Sequence, residues 1–539
     1  MVVLSQSLLV VAVILFVCIL FQRISGKAGI PGLFIFIVLG MLFGLAFKIE
    51  FDFSLANELC SIALIFIMFY GGVGTKWSKA KPIAKKAILL SSLGTILTAL
   101  FVGMFCFLVL KITILESLLI GSVICSTDAA SVFSILRSKK MNLKYNSASL
   151  IEVESGSNDP FSYMLTTIIL TIMVGGNSSP LYIVLLLFLQ IAIGVGFGFG
   201  FAFLAKLIIK KFKFPENGFD LAFLVGVAVI TFALPTLLYG NGYLAVYITG
   251  IVIGNSNILI KKNAFHFFDG ITSIIQMLMF FLLGLLSTPL TLIKVEVFGI
   301  GLLIALFLTF IGRPLAVFIS MTIFKSKPKQ QLFVAWAGMR GVASIVFSII
   351  AITTLEESNL SLEYDIFHIV FFIVLFSILL QGSLLPFVAR KLKMIDDTDD
   401  VMKTFNDYLE EVPVQFIQFT LNKSHIWLGK KIHEITLPPD SILVLIIRSD
   451  KKIIPNGNTR LNENDIMILS GKDSSKIDGI NLYEKVIEEG DNLIDKRIRD
   501  ISITEKLIIL VKRKDYVIIP RGDTIIKKDD ILVINDTKN

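Results

Sequence analysis

The sequence predicts an all-α polytopic membrane protein of about thirteen transmembrane helices, arranged as inverted repeats with two crossing broken helices, and a small α+β cytoplasmic tail. Three observations carry this expectation. The 539 residues are 55% hydrophobic and only 17% charged, with a mean hydropathy of +0.81, whereas ordinary soluble domains carry about 25% charged residues. Apolar runs long enough to cross a bilayer succeed one another to about residue 390. From about Asp396 onward the chain becomes charged and strand-like. The expected domains are therefore a membrane domain over residues 1–393 and two tail modules over 400–475 and 476–539.

Taken in order, the apolar runs lie near 4–21, 29–47, 58–74, 87–110, 115–136, 148–174, 180–205, 219–239, 241–257, 266–287, 297–324, 331–354 and 366–390. The first lacks a basic leader and a small-residue cleavage site, so it reads as a retained span. The division of 219–257 rests on the Tyr239-Gly-Asn-Gly turn. The glycine run 195–203 is not followed by a soluble βαβ unit and reads as a thin helix-packing face, not a nucleotide loop. The loops between the runs test the count. Odd-numbered loops carry the basic residues, such as Lys76, Lys79 and Lys81 in the third and Arg137, Lys139 and Lys144 in the fifth. Even-numbered loops hold only Lys48, Lys111 and Lys294, and the last of them is acidic. Lysine and arginine stay on the cytoplasmic side. This places the N-terminus outside and the tail inside.

Charges deep in the spans are few: Asp128, Glu152, Glu154, Asp159, Arg313 and Arg340. Each costs about 2.5–3.5 kcal/mol at a helix centre on the insertion scale. Such groups face a bundle interior or an aqueous cavity and pair with one another. Most fall in three segments rich in small residues, 121–133, 151–161 and 337–344. Glu154 and Asn158 are four residues apart and share a helix face, with Ser155 and Asp159 on the next. Pro160 removes a backbone N–H and frees the carbonyl of Gly156. Carboxylates, hydroxyls and a freed carbonyl are the hard ligands that a dehydrated monovalent cation needs, and Thr127 and Asp128 can add more. Clustered acids in low dielectric cannot all remain charged without counter-ions, so the site is expected to hold either a cation or a proton. Arg340 is the expected counter-charge for Glu154, as a structural ion pair that leaves Asp159 for the ion. Spans five and twelve, which carry Asp128 and Arg340, occupy corresponding positions if spans 1–6 and 8–13 are inverted repeats.

Other readings stand beside these. Asp128 also reads as a helix-capping or packing acid. Glu152 is expected near the helix end in a solvated or capping role, and Arg313 in a structural pairing with a carbonyl or acid. His266 and His368 are expected at the interface. Cys18, Cys60, Cys106 and Cys125 have neither CxxC spacing nor clustered histidines and read as small buried hydrophobes.

The segments STDAASVFSIL (126–136), ESGSNDP (154–160) and GMRGVASIVFS (338–348) over thirteen spans resemble the monovalent cation/proton antiporters of the NhaP and sodium/proton-exchanger type. The likeness spans about residues 5–390. It implies a homodimer with a dimerisation domain and a six-helix core that moves as an elevator. It implies Asp159 as the carboxylate that binds the cation or the proton, supported by Asn158 and lined by Thr127, Asp128 and Ser155. The only metal implied is the transported monovalent cation at Asp159, and no cofactor is implied. The Asn-Asp form is associated with electroneutral exchange. One departure stands out: some relatives carry an acid near the end of the third span, where this chain reads LIFIMFYGGVGTKW (64–77).

The tail repeats itself. Residues 432–471 align with 498–536, Pro455 matching Pro520 and Asp465 matching Asp530 at an offset of 65. Each unit reads as a short helical start, a strand, a turn, a strand ending in Pro-x-Gly and a final strand. The pattern resembles the C-terminal module of potassium-conductance regulators (TrkA-C, or RCK C-terminal), present twice and without their nucleotide-binding half. That resemblance implies regulation by a small ligand, with cyclic di-AMP as a candidate, or dimer contacts through the tail. It also tilts the transported ion from sodium towards potassium, and the family resemblance with a cytoplasmic tail implies a bacterial plasma membrane. The expected partners are membrane lipids and a second copy, with no nucleic acid. A tail-gated monovalent cation channel is the alternative, but no carbonyl-filter motif is present. An aspartyl protease using Asp128 and Asp159 has no use for Arg340. The chain is therefore read as a transporter and not an enzyme.

Overall fold

In the computed structural model the described residues are 9, 11–21, 32–48, 51–139, 141–175, 179–212, 218–256 and 261–396, and in the tail 414–423, 425–438, 441–448, 451–472, 482–487, 489, 491, 493–500, 506–513, 516–518 and 520–536. The chain divides into two compact units, Met1–Glu411 and Val412–Asn539.

The first unit is helical. Its main helices are α1 (Val11–Phe21), α2 (Gly32–Phe47), α3 (Phe53–Gly74), α4 (Ala84–Leu108) and α5 (Ile114–Ile124). They are followed by α6 (Ala129–Ser138), α7 (Ser147–Met173), α8 (Pro180–Lys211), α9 (Phe219–Leu237) and α10 (Gly242–Gly254). The last five are α11 (Lys261–Leu286), α12 (Val295–Thr322), α13 (Pro328–Trp336), α14 (Val342–Glu357) and α15 (Ile366–Lys391). Counting α5–α6 and α13–α14 as one segment each, every expected apolar run contains a helix, and 219–257 divides at 238–241. Eight of the described helical segments are long and apolar enough to cross a membrane.

Small residues let these helices touch. A Cβ on Gly72 of α3 would stand 2.4 Å from the Tyr247 carbonyl oxygen of α10, and one on Gly250 would stand 2.5 Å from that of Phe69. In lipid, close van der Waals packing of this kind takes over part of the role that apolar burial plays in water. The glycine run on α8 divides by face. Gly194 and Gly198 pack on α10, while a Cβ on Gly196 or Gly200 would meet nothing within 4 Å.

The two halves share irregularities at corresponding places. Span five is interrupted between α5 and α6, and span twelve between α13 and α14. A π turn interrupts α4 at Leu90–Gly94 and α12 at Leu308–Gly312, the fourth and eleventh spans. Such turns insert one residue and re-aim the helix beyond them. By contrast, α7 runs unbroken through Pro160, and Asn241 Nδ2 donates to the Pro160 carbonyl at 2.7 Å. A short two-stranded pairing joins β1 (Asn142–Leu143) to β2 (Ile395–Asp396), so the chain remains part of the membrane unit through Asp396.

The tail unit contains two four-stranded antiparallel sheets. The first orders β3 (Val414–Thr420), β6 (Ile466–Lys472), β4 (Ser441–Arg448) and β5 (Lys451–Ile453) as β3-β6-β4-β5. The second orders β7 (Leu482–Val486), β10 (Ile531–Asp536), β8 (Lys506–Arg513) and β9 (Tyr516–Ile518) as β7-β10-β8-β9. The repeat read from the sequence is thus a repeat of topology. Each module closes its own core, around Leu443, Ile446 and Met467 in one and Ile508, Val511 and Leu532 in the other. Each also buries one aspartate against an arginine seventeen residues earlier. Arg448 Nε and Nη2 meet Asp465 at 2.7 Å each, and Arg513 meets Asp530 at the same two distances. Burial alone would raise these carboxyls, but the guanidinium and a backbone N–H hold both below the usual carboxylate range.

Candidate functional site

The site forms where the two interrupted spans cross. The backbone leaves the helix after Cys125 and resumes at Ala129; in the other half it leaves after Ala337 and resumes at Val342. The extended pieces touch, the Asp128 N–H donating to the Met339 carbonyl at 2.8 Å. A Cβ on Gly341 would stand 2.4 Å from the Asp128 Cβ, so glycine is needed there for closeness.

Broken helices expose unpaired backbone groups and dipole ends in the middle of the bundle. Two charged side chains meet them. Arg340 donates from Nη1 to the carbonyls of Cys125 and Ser126 at 2.8 and 2.7 Å, at the negative end of α5. Asp128 accepts from the Ala130 N–H at 2.9 Å and from the Ser131 hydroxyl, at the positive end of α6, and lies against Gly341 at the start of α14. Asp128 thus caps α6, as one of its sequence readings held, and it also lines the adjoining cavity.

The remaining groups come from α7. Ser155 Oγ accepts from the Ala129 N–H at 2.9 Å and donates to the Thr127 carbonyl at 2.8 Å, tying α7 to the break. Asn158, fully buried, donates to Thr127 Oγ1 at 2.6 Å and to Glu154 Oε1 at 3.2 Å. Asp159 accepts from the Ser126 hydroxyl.

The expected pairing of Glu154 with Arg340 is corrected. Glu154 Oε1 instead accepts from Arg313 Nη2 at 2.8 Å, both side chains being buried. The reason is local. Arg340 is drawn to the carbonyls at the end of α5, and the π turn Leu308–Gly312 immediately before Arg313 sets the direction of the residue after it. Arg313 is thus the structural partner of an acid, as one of its readings held.

These residues border a cavity of about 590 Å³. One wall is polar and comes from the break, α6, α7 and the start of α14: Ser126, Thr127, Asp128, Ser155 and Asp159 all line it. The facing wall, from α3 and α11, presents Leu64, Ile67, Met68, Met279 and Phe280, with Tyr70 and Gln276 as its polar members. The stretch 64–77 that lacks an acid thus supplies an apolar wall. Asn158 does not line the cavity; it holds Thr127 and Glu154 from behind. Glu152, expected in a solvated or capping role, does line it. His368, expected at the interface, lies in the first turn of α15 and is buried, with Nδ1 2.7 Å from Asp365. His266 is exposed, and the four cysteines are buried. Sequence reasoning missed Ser126, although a hydroxyl directly before Thr127-Asp128 in an interrupted helix was a usable signal.

The electrostatics single out one group. Glu154 has Arg313, Asp128 has two helix starts, and Arg340 has a helix end. Among the described residues Asp159 has neither a cationic partner nor a helix terminus, only the Ser126 hydroxyl. It is a carboxylate on a cavity with room for an ion and, among the described residues, with no fixed counter-charge.

Known proteins agree with this geometry. Residues 11–391 match the family described as sodium/hydrogen exchanger, transmembrane, and residues 416–476 and 482–534 match the TrkA-C domain. The chain is 30% identical over 460 residues to the K(+)/H(+) antiporter NhaP of Alkalimonas amylolytica, covering 84% of this chain and 79% of that one. It is 28% identical to the K(+)/H(+) antiporter NhaP2 of Shewanella baltica, covering 90% and 84%. The solved structure of the sodium proton antiporter MjNhaP1 from Methanocaldococcus jannaschii matches with a TM-score of 0.62 at 24% identity, over 70% of this chain and 99% of that one. The crossing of two interrupted spans, the lone acid beside it and these matches together establish that the chain belongs to the sodium/hydrogen exchanger family, as an NhaP-type antiporter with a TrkA-C tail.

Proposed function

We propose that this cation/proton antiporter exchanges cytoplasmic K⁺, with Na⁺ as the second candidate, for external H⁺ at the carboxylate of Asp159. The observation that carries the reading is the isolation of Asp159. Every other charge at the crossing has a fixed partner, so this one carboxylate is satisfied by whichever mobile cation the cavity supplies. A metal ion and a proton exclude each other there, and competition for one site is antiport. Because the other charges at the crossing stay compensated, a single monovalent ion or a single proton neutralises the loaded site equally, which supports one-for-one, electroneutral exchange. Ser126, Thr127, Asp128 and Ser155 provide oxygens around Asp159, and Asn158 fixes Thr127 relative to Glu154.

The potassium preference rests on two supports. The two relatives matched by sequence above are named K(+)/H(+) antiporters, whereas the structural neighbour is a sodium proton antiporter. The apolar wall of α3 and α11 also offers few oxygen ligands, which suits the ion with the lower dehydration cost. The basic loops place α3's C-terminal end and α7's N-terminal end on the cytoplasmic side, so the cavity runs from the crossing towards the cytoplasm, with the N-terminus outside and the tail inside. The cavity separates α3 and α11 from the helices of the crossing, the division an elevator motion in a homodimer would use. The tail modules act as regulators, by a small ligand such as cyclic di-AMP or by tail-to-tail contact.

The test is proton movement in everted vesicles from an antiporter-deficient bacterium, with K⁺, Na⁺ or Li⁺ added in turn. Wild-type protein should collapse an established pH gradient on addition of K⁺, and Asp159→Asn should abolish this at equal membrane abundance. Exchange that persists in Asp159→Asn removes the proposed carrier. Cation flux without coupled proton movement would point to a channel.

A further inference from the structure

We infer that Asn241 is a positioning residue for the exchange: its side-chain amide clamps α7 just outside Asp159 and so keeps the carrier carboxylate open to the cytoplasmic cavity alone. The inference rests on the exchange reading above and extends it to the closed side of the site.

The surroundings of α7 change at Asp159. On the cytoplasmic side Ser155, Gly156 and Asp159 line the cavity. From the next residue outward α7 is held by α8 and α10. Asn241 Nδ2 donates to the Pro160 carbonyl at 2.7 Å, and the Tyr163 ring stands edge-on to that of Tyr243 with centroids 4.8 Å apart. Gln190 Nε2 then donates to Thr167 Oγ1 at 3.3 Å. The first of these contacts stands directly beside the carrier. Because α10 packs through glycines on both α3 and α8, they tie α7 to the wall that faces the crossing.

Asn241 is 1% exposed, and each of its groups has a separate task. Its N–H donates to the Gln190 carbonyl of α8 at 3.1 Å, and Oδ1 accepts from the Leu244 N–H at 3.0 Å as the N-cap of α10. A cap needs only the oxygen, which serine also supplies. The amide nitrogen is the part that reaches α7. Pro160 lies inside an unbroken helix, where a carbonyl accepts from the residue four further on, so the bond from Asn241 is additional to the helix. Asn241 is fixed to α8 and α10, whereas Pro160 moves with Asp159. Any motion that carries Asp159 towards the outside must therefore break this bond.

The experiment measures, in intact cells, how fast a membrane-impermeant maleimide labels Ala351→Cys. Ala351 is fully buried in the outer half of α14, one turn beyond Phe347, whose ring centroid lies 6.0 Å from that of Tyr163. The four native cysteines are buried as well. Access from outside then reports the minor open state, whose population scales with the strength of the seal. One net hydrogen bond corresponds to about two- to tenfold in such an equilibrium. Asn241→Ser keeps the cap and removes the amide, and should raise the Ala351→Cys labelling rate by that factor. Ser134→Cys, on the exposed cavity face of α6, should label no faster from the cytoplasmic face in everted vesicles. A merely structural role would loosen both sides together. An unchanged rate at Ala351→Cys, or an equal rise at Ser134→Cys, overturns the assignment. If Asn241→Ser does not reach the membrane, Asn241→Gly, which retains most of the N-cap preference, decides by the same two rates. Wild-type vesicles without K⁺-driven proton movement would instead fail the exchange reading itself.

Discussion

The pairing of Glu154 with Arg313 can be tested by a double-mutant cycle. The two groups are 2.8 Å apart, with side chains 1–2% exposed. At an effective dielectric of about 20, Coulomb's law bounds their attraction at about 6 kcal/mol. Removing one partner of a buried pair typically costs about 3–5 kcal/mol, because the other charge is left uncompensated. The contact here is single, not bidentate: Arg313 Nε and Nη1 have no hydrogen-bond partner among the described residues. The lower end, about 3 kcal/mol, is therefore expected for Arg313→Gln. Arg313→Lys keeps the charge and a one-point contact, and should cost about 1 kcal/mol. Glu154→Gln with Arg313→Gln should be less destabilised than the summed single changes by about 3 kcal/mol. The same cycle between Glu154 and Arg340 should give a coupling below about 1 kcal/mol. Denaturant unfolding of the purified protein in detergent, followed by tryptophan fluorescence, supplies these values. A Glu154–Arg340 coupling equal to or larger than the Glu154–Arg313 coupling would show that Arg313 is not the true partner of Glu154.

Further outcomes rest on the same geometry. Gly341→Ala places a methyl 2.4 Å from the Asp128 Cβ and should separate the crossing segments; exchange should fall at least about tenfold with the protein still in the membrane, and near-wild-type rates would show that the crossing tolerates widening. Asp465→Asn and Asp530→Asn should each destabilise their module by about 2–3 kcal/mol, because each loses the same charge-assisted pair of bonds; widely different losses would argue against equivalent modules. Both carboxyls are held below their ordinary value, so the stability they contribute is present above the unfolded carboxylate pKa of about 4 and is lost as pH falls through the folded value. Fluorescence of Trp427, the only tryptophan beyond residue 400, should thus report a first-module transition that is flat from neutral pH down to about 5 and weakens below about 4. A truncation should end after residue 396 to keep the β1–β2 pairing; such a protein should still transport but with a shifted set-point, and a well-inserted truncation without flux would make the tail part of the transport machinery.

What the sequence discloses about this site depends on the cost of each group. A carboxylate inside a span is expensive, so Asp128, Glu154 and Asp159 could be picked out as candidate site residues without coordinates, and Asn158 with them through its spacing. The interruptions at 125–128 and 337–341 were legible because small residues cluster there, and the tail repeat because its turns recur at one offset. Partner choice was not legible in the same way. Arg313 and Arg340 both sit in apolar spans beside glycines, and nothing in their immediate sequence says which one meets Glu154. That is decided by two three-dimensional facts: α5 ends in free carbonyls within reach of Arg340, and a π turn directly precedes Arg313. Neither fact has a local sequence signature. Pro160 is the complementary case. It frees the Gly156 carbonyl and is helix-breaking by propensity, yet α7 runs unbroken through it. Glu152 shows a further limit. Near a helix end it looks like an ordinary solvated acid, and only the cavity reveals that it shares a lined path with Asp159. The charges of the candidate site could thus be read from the chain, whereas the pairings that leave Asp159 without a fixed partner among the described residues came only with the fold. Under the proposed exchange, function depends on that second kind of information, because an Asp159 with a fixed partner would have nothing to exchange.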